Sequence, residues 1–496
     1  MELELQADPE SIAKLTAFKP LAALREGRLK SHAVRVVWYD SPDHALAQMG
    51  QTLAEARGGW RVERVVPDTG TWLPAQPPPV LAQGPTVHAL NGTLPEPMAP
   101  VAAFEGRQTI GTYRFDHAPV TLTLERGALR AVTAERPVAR LHLRGDDRAV
   151  RTAAMLIADA FAVEVPTATL AGLGVALATG RQPQPRHLGP PRLPDPDMPV
   201  ADALAHILGH LTDVILYYAP IACQADGPED AGPKRIEAVH QMRVATRRAL
   251  SAVSIFKAAL PPGTLDTLKA ELKTLTGKLA HSRDWDVFVT ETAPTVATVL
   301  PADERLMKLI AAAERRRQVH RRALAEYLAS PAFRLLGIEL AWFANARCWQ
   351  SAAPADSDME SNPPAPLSVQ GFGPVVVRHR WKKMLRAGKG IATLDIPALH
   401  ALRLRTKRAR YAAEMFASLD ASHSAQRAIR RLSALQQALG VLNDGAVAAH
   451  LLEELGGPGG RHGYAVGLIL GFIAARAGRI RPEIERIFGK VRKQEP

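Results

Sequence analysis

Two stretches of this chain carry the same grouping of one histidine and three cations. The first is His240, Arg243, Arg247 and Arg248; the second is His400, Arg403, Lys407 and Arg408. A spacing of i, i+3 and i+7 returns to one face of a helix, so each group forms a row. Guanidinium forks fit phosphate oxygens bidentately, lysine supplies a point charge, and histidine adds a donor. Like charges in a row repel unless an anion lies along them, so the chemistry posed is non-covalent capture of a polyanion. The competing reading is internal pairing, in which Asp284 and Asp444, downstream of each row, reach back to the arginines. Each could orient one guanidinium, but two carboxylates are too few to neutralise both rows. Further cations lie nearby in sequence: Arg315 to Arg317, Arg321, Arg322, Arg378, Arg380, Lys382, Lys383, Arg386, Arg405, Arg410, Arg430 and Arg431.

The elements that position these rows are themselves repeated. Laid without a gap, residues 240–287 over 400–447 give 12 identities in 48 positions. Val239, Met242, Thr246, Ala249, Val253 and Phe256 make one helical stripe, and Leu399, Leu402, Thr406, Ala409, Ala413 and Phe416 make its counterpart. Both stripes are predicted core. Leu272, Leu275 and Leu279 fall on Leu432, Leu435 and Leu439, so each row is followed by a second amphipathic helix. Two copies of one helical unit are expected. Packed about a pseudo-twofold axis, their basic faces would merge into a single groove.

Charge and composition frame this. The chain has 496 residues, a net charge of +13 and two cysteines, with 47% hydrophobic and 22% charged residues. That composition is globular, and two cysteines cannot build a disulfide framework or a multi-thiolate metal site. The acidic start, Glu2 and Glu4, is unlike a secretion signal, and the longest apolar run, around 466–475, is short for a membrane span. The expectation is a soluble cytoplasmic protein. Residues 1–180 have a net charge of −1 and residues 201–496 a net charge of +13. The polyanion-facing part is therefore the C-terminal part.

Period-2 alternation marks 1–5, 121–124 and 141–144 as antiparallel strands, followed by a helix over 147–162. A Pro-rich linker is expected at 181–199, with Pro-rich loops at 67–100 and 351–366. Beyond the linker the period becomes 3.6. The fold class is thus an α+β domain with an antiparallel β-barrel or tunnel over 1–180, then an all-α domain over 200–495.

The repeated pattern His-x-x-Arg-x-x-x-(Arg/Lys)-Arg, each followed by a Leu-rich helix ending in Arg-Asp or Asn-Asp, resembles the CHAD domain, a conserved-histidine α-helical domain. The matching stretches are VHQMRVATRRALSAVSIF, LAHSRDWDV, LHALRLRTKRARYAAEMF and LGVLNDGAV. The resemblance implies two pseudo-symmetric helical bundles that bind inorganic polyphosphate along a basic surface. It implies binding through His240, Arg243, Arg247, Arg248, His400, Arg403, Lys407, Arg408 and Tyr411. Arg405, Lys382 and Lys383 are added from their neighbourhood, with Asp284 and Asp444 as orienting groups. On this reading the protein is cytoplasmic and sits on polyphosphate granules.

Residues 1–180 are similar to a CYTH domain, a triphosphate-tunnel metalloenzyme module, at Glu2-Leu3-Glu4, at Val36 to Gly50 and at Glu125-Arg126-Gly127. That resemblance implies eight antiparallel strands, inward carboxylates holding Mg²⁺ or Mn²⁺, and cations holding a triphosphate. The chain departs from the pattern. Gln6 stands where the lysine of Glu-x-Glu-x-Lys belongs, Ala54 and Ala56 replace arginines, and Arg140 and His142 replace a Glu-x-Glu pair. Loss of catalysis is expected, with Glu2 and Glu4 as residual metal candidates that read equally as outward strand residues. No cofactor is then required. The alternatives are a metal-dependent triphosphatase and a nucleic-acid binder. The latter is disfavoured because base stacking needs aromatics beside the cations, and the basic rows carry one, Tyr411.

Overall fold

The computed structural model describes residues 1–57, 59–65, 97–181, 188–224, 231–301, 303–345, 368–420 and 424–494. Most of the expected loop at 67–100, the whole of 351–366 and residues 182–187 of the expected linker lie outside these residues, as does Cys348. The chain forms two compact units. One comprises Met1–Gly189, Leu208–Tyr217 and Ala329–Ala352; the other comprises Pro190–Ile207, Tyr218–Leu328 and Ala353–Pro496.

The first unit is built on an eight-stranded antiparallel sheet. Its strands are β1 Glu2–Ala7, β2 Arg25–Asp40, β3 Gln51–Ala56, β4 Gly59–Arg64, β5 Ala99–Phe115, β6 Ala118–Ala131, β7 Glu135–Gly145 and β8 Val163–Glu164. They are ordered β4-β3-β2-β5-β6-β7-β1-β8, and β4 and β8 make no pairing with each other among the described residues. The three alternating segments lie on neighbouring strands β1, β7 and β6. Leu3 pairs with Leu143, which pairs with Leu122, and all three are buried. The β5–β6 hairpin turns through Asp116 and His117, both at positive φ, as a two-residue turn of this twist requires. Short helices α1 Lys19–Ala22 and α2 Ala45–Gln48 join the strands.

Two longer helices cover the sheet. Helix α3, Asp147–Ala160, is capped by Asp146 and packs on β5, β6 and β7 through Ala149, Val150, Ala153 and Ile157. Helix α4, Leu170–Thr179, is capped by Thr169 and packs its Ala171 among Trp38, Phe104, Leu129 and Val138. Val138 shares a strand face with Arg140 and His142, so α4 lies on the polar face of β7. Helix α10, Pro331–Asn345, also belongs to this unit. Its Glu339 binds Arg151 of α3, and Trp342 Nε1 donates to the Asp147 carbonyl at 2.9 Å.

The second unit is helical. It contains the ends of α5 Val200–Cys223, then α6 Ala231–Phe256, α7 Asp266–Val287, α8 Ala293–Ala297 and α9 Glu304–Leu328, and after α10 the helices α11 Val369–Ala387, α12 Ile396–Phe416, α13 Ser424–Glu454 and α14 Gly463–Arg492. The repeat appears as two equivalent hairpins, α6–α7 and α12–α13, each with a 3-10 turn closing its first helix. The predicted stripes are core. Val239, Met242, Ala249, Val253 and Phe256 are buried, as are Leu399, Leu402, Ala409, Ala413 and Phe416. Residues 190–199 are part of this unit, with the Leu193 N–H donating to Ser418 Oγ at 2.9 Å and Pro199 bridging Ser368. By length and composition α5 and α14 are apolar enough to cross a membrane; the apolar window of α5 is mostly buried in the protein and that of α14 is mostly not.

Candidate polyanion-binding site

Helices α6 and α12 pack on each other, and the conserved positions of the repeat fix how. Thr246 and Thr406 are fully buried, and each hydroxyl donates to the carbonyl one turn back, Met242 at 2.7 Å and Leu402 at 2.9 Å. A hydroxyl satisfied within its own helix lets the two helices approach at a small residue. Phe256 and Phe416 lie 6.2 Å apart, and Phe372 of α11 stands 5.3 Å from the former and 6.2 Å from the latter. With these equivalent residues together, the two basic rows meet.

Four cations form the centre: Arg243 and Arg247 from α6, Arg403 and Lys407 from α12. Arg243 Nη1 donates to Asp284 Oδ1 at 2.8 Å. Asp444 holds up the proton affinity of Arg403, but burial, its largest influence, together with Arg243 pulls that affinity below the usual value. Arg247 is brought down to about 10, by burial first and then by Arg243 and Arg403. Lys407 falls to about 6, through burial and then Arg247, Arg403, Arg243 and Arg410. The Nε atoms of Arg243 and Arg403, equivalent in the two copies, are buried without a hydrogen-bond acceptor among the described residues. Among the described residues, Asp284 and Asp444 act on this cluster's arginines, and two carboxylates against four cations leave a surplus of positive charge.

The remaining residues of the rows divide. His240 is half-buried, and its proton affinity is lowered by burial and by Arg283 and Arg243, so it is a neutral donor or acceptor at neutral pH. Arg248 is engaged in an ion pair with Glu414 at 3.0 Å. Tyr411 is buried, and its ring has Arg410, Lys407 and Arg248 at 5.2, 5.8 and 6.0 Å from its centre. Arg408, the repeat equivalent of Arg248, stays exposed beside Arg380, because the position equivalent to Glu414 is Ser254, which accepts instead from Arg380 at 3.1 Å. His400, Arg405, Lys382 and Lys383 are exposed on α11 and α12.

Sequence reasoning missed two buried acids. Glu414 neutralises Arg248 and Arg410, at 3.0 and 3.5 Å. Asp286, 1% exposed, holds Arg317 at 2.7 Å and Arg321 at 3.0 Å. Two of the arginines grouped with the polyanion-facing cations are therefore structural, whereas Arg315, Arg316 and Arg322 are exposed. The available signal was spacing: Asp286 lies two residues beyond Asp284, hence on the opposite side of α7.

In the first unit, Glu2 and Glu4 lie on the polar face of the sheet. Glu4 pairs with buried Arg140 at 3.3 Å, and His142 sits 4.0 Å from Glu2 and 3.6 Å from Glu125. Burial alone would lower the proton affinity of His142, but its hydrogen bond with Glu125 and the charges of Glu4, Glu125 and Glu2 raise it. Arg140 and His142 thus stand among Glu4, Glu2 and Glu125, so these carboxylates face basic side chains. Among the described residues no three His, Cys, Asp or Glu side chains are grouped to hold a metal, and Mg²⁺ or Mn²⁺ does not fit this arrangement. Arg61 of β4 also acts on Glu125 of β6, with three strands between them in the sheet order, so the sheet curls over this face.

The family described as CHAD domain matches residues 202–453, half of the chain. The crystal structure of the CHAD domain from the plant Ricinus communis is similar at 28% identity, with a TM-score of 0.51, over 63% of this chain and 97% of that one. PptA from Streptomyces chartreusis is similar at 16% identity, with a TM-score of 0.42, over 59% of this chain and 100% of that one. No curated protein matches the chain.

Proposed function

The chain belongs to the CHAD domain family, and from that premise we propose that it binds inorganic polyphosphate on the basic cluster shared by α6 and α12. The observation that carries this is the convergence of Arg243, Arg247, Arg403 and Lys407 from two helices, with carboxylates too few to balance them. Linear polyphosphate offers about one negative charge per phosphate and no bases, which suits guanidinium forks and a site whose aromatic, Tyr411, is buried with Lys407 over its ring. Arg408, Arg405, Lys382 and Lys383 extend the track over the exposed faces of α12 and α11. Its cellular place on this reading is the polyphosphate granule in the cytoplasm.

The first unit reads as a degenerate triphosphate-tunnel domain without catalysis. The support is the pairing of Glu4 with Arg140 and of Glu2 and Glu125 with His142, together with α4 packed on the polar face. The binding reading is tested by displacing labelled polyphosphate from the intact protein with single-stranded RNA. Weak displacement, and loss of most affinity in an Arg243→Ala, Arg403→Ala double variant, are expected. Equal affinity for RNA, or full affinity in the double variant, contradicts it.

A further inference from the structure

We propose that a polyphosphate chain binding at the Arg243–Arg247–Arg403–Lys407 cluster brings a proton with it, taken up by Lys407, so that pH sets the affinity of this site. The proposal rests on the binding reading above and concerns its regulation.

The geometry singles out one amine among guanidiniums. On α12 Lys407 lies one turn from Arg403 and Arg410, and its Nζ and the Arg410 guanidinium stand 5.8 and 5.2 Å from the centre of the Tyr411 ring; across the packed α6–α12 pair, Arg243 and Arg247 act on it. The acids of the neighbouring helices are already engaged. Asp284 of α7 binds Arg243, Glu414 of α12 binds Arg248 and Arg410, and the charge of Asp444 of α13 falls on Arg403. Arg380 of α11 stands with Arg408. Lys407 has no ion-pair partner among the described residues.

A guanidinium keeps its proton far above neutrality, so in a crowded cationic site the lysine is the group that gives way. Burial and the four arginines bring the amine to about 6, which leaves it mostly neutral at physiological pH. A phosphate chain laid across the cluster supplies the missing negative charge and removes that repulsion. The proton affinity of Lys407 then returns towards its ordinary value, and the amine becomes an ammonium that joins the phosphate contacts. By linkage, what the chain does for the proton, the proton does for the chain. Affinity therefore rises as pH falls from about 9 towards 7, by up to about tenfold per unit for one coupled proton.

The experiment is titration calorimetry of intact protein with long-chain polyphosphate at about pH 8, in several buffers of different ionisation enthalpy; the slope of observed enthalpy against ionisation enthalpy counts the protons exchanged. Wild type is expected to take up close to one proton per site. Lys407→Arg, which carries a fixed charge, is expected to bind with no uptake and with affinity flat over this pH range. His240→Gln is expected to leave the uptake unchanged, which separates the lysine from the neighbouring imidazole. Binding by wild type without proton uptake, or uptake persisting in Lys407→Arg, overturns the coupling and leaves the binding reading standing. The wild-type count needs no variant, so a poorly folding Lys407→Arg cannot rescue the proposal. Absence of binding in every buffer overturns the binding reading, and the coupling with it.

Discussion

Arg243 donates to Asp284 at 2.8 Å, one carboxylate holding one guanidinium of a cluster of four cations. That bond fixes the direction of the fork but subtracts charge from the cluster, so orientation and attraction are in tension at this residue. In Asp284→Asn an acceptor of similar shape remains while a negative charge is removed. Polyphosphate affinity is expected to rise a few-fold at low salt, and the unliganded protein to lose about 1 kcal/mol of stability. Binding titrations and urea denaturation on the same preparation check both signs.

Glu414 is 8% exposed and neutralises two arginines. Removing one partner of a buried ion pair leaves the other charged and desolvated, so Glu414→Gln is expected to cost about 3 kcal/mol. Asp286→Asn should cost a similar amount, because Arg317 and Arg321 both rely on it. Chemical denaturation measures each, and the surviving folded fraction of Asp286→Asn should bind polyphosphate as wild type does.

The two copies of the repeat differ at one informative pair, Glu414 against Ser254. Placing the acid in both copies by Ser254→Glu is expected to engage Arg380 and Arg408 and to weaken polyphosphate binding several-fold, with little loss of stability. Affinity equal to wild type would show that Arg408 lies off the track.

Lys407 also makes the unliganded fold sensitive to pH. A lysine brought to about 6 in the folded state disfavours the proton that the unfolded chain would hold. The cost is therefore absent above the ordinary lysine range, grows as pH falls, and is complete near 6. The melting temperature of wild type relative to Lys407→Met is expected to rise with pH from 6 to 9; a difference independent of pH contradicts this.

In the first unit, adding Mn²⁺ or Mg²⁺ is expected neither to raise the melting temperature nor to release phosphate from tripolyphosphate. Robust turnover abolished by Glu4→Ala would mean that the carboxylates facing Arg140 and His142 still hold metal.

Much of the helical unit was legible because its pattern is periodic and doubled. The buried stripes and the two rows follow from spacing on a helix. What sequence could not supply was the partner of each charge. Glu414 sits within 411–416, where every residue is buried, yet in sequence it reads as an ordinary helix-surface acid. Arg317 and Arg321 read as part of a basic run until Asp286 is seen beneath them. In the first unit the alternation of β1, β6 and β7 was plain. The curl of the sheet and the assignment of α10 to that unit depend on long-range packing, which no local pattern encodes.

The salt dependence of polyphosphate affinity tests the central claim most directly. If the chain lies on the four central cations, log K falls linearly with log salt, with a slope of about −3 or steeper, and the Arg243→Ala, Arg403→Ala variant loses about 1.4 of that slope. A slope near zero, or one unchanged in the double variant, would contradict capture of the phosphate chain at this cluster.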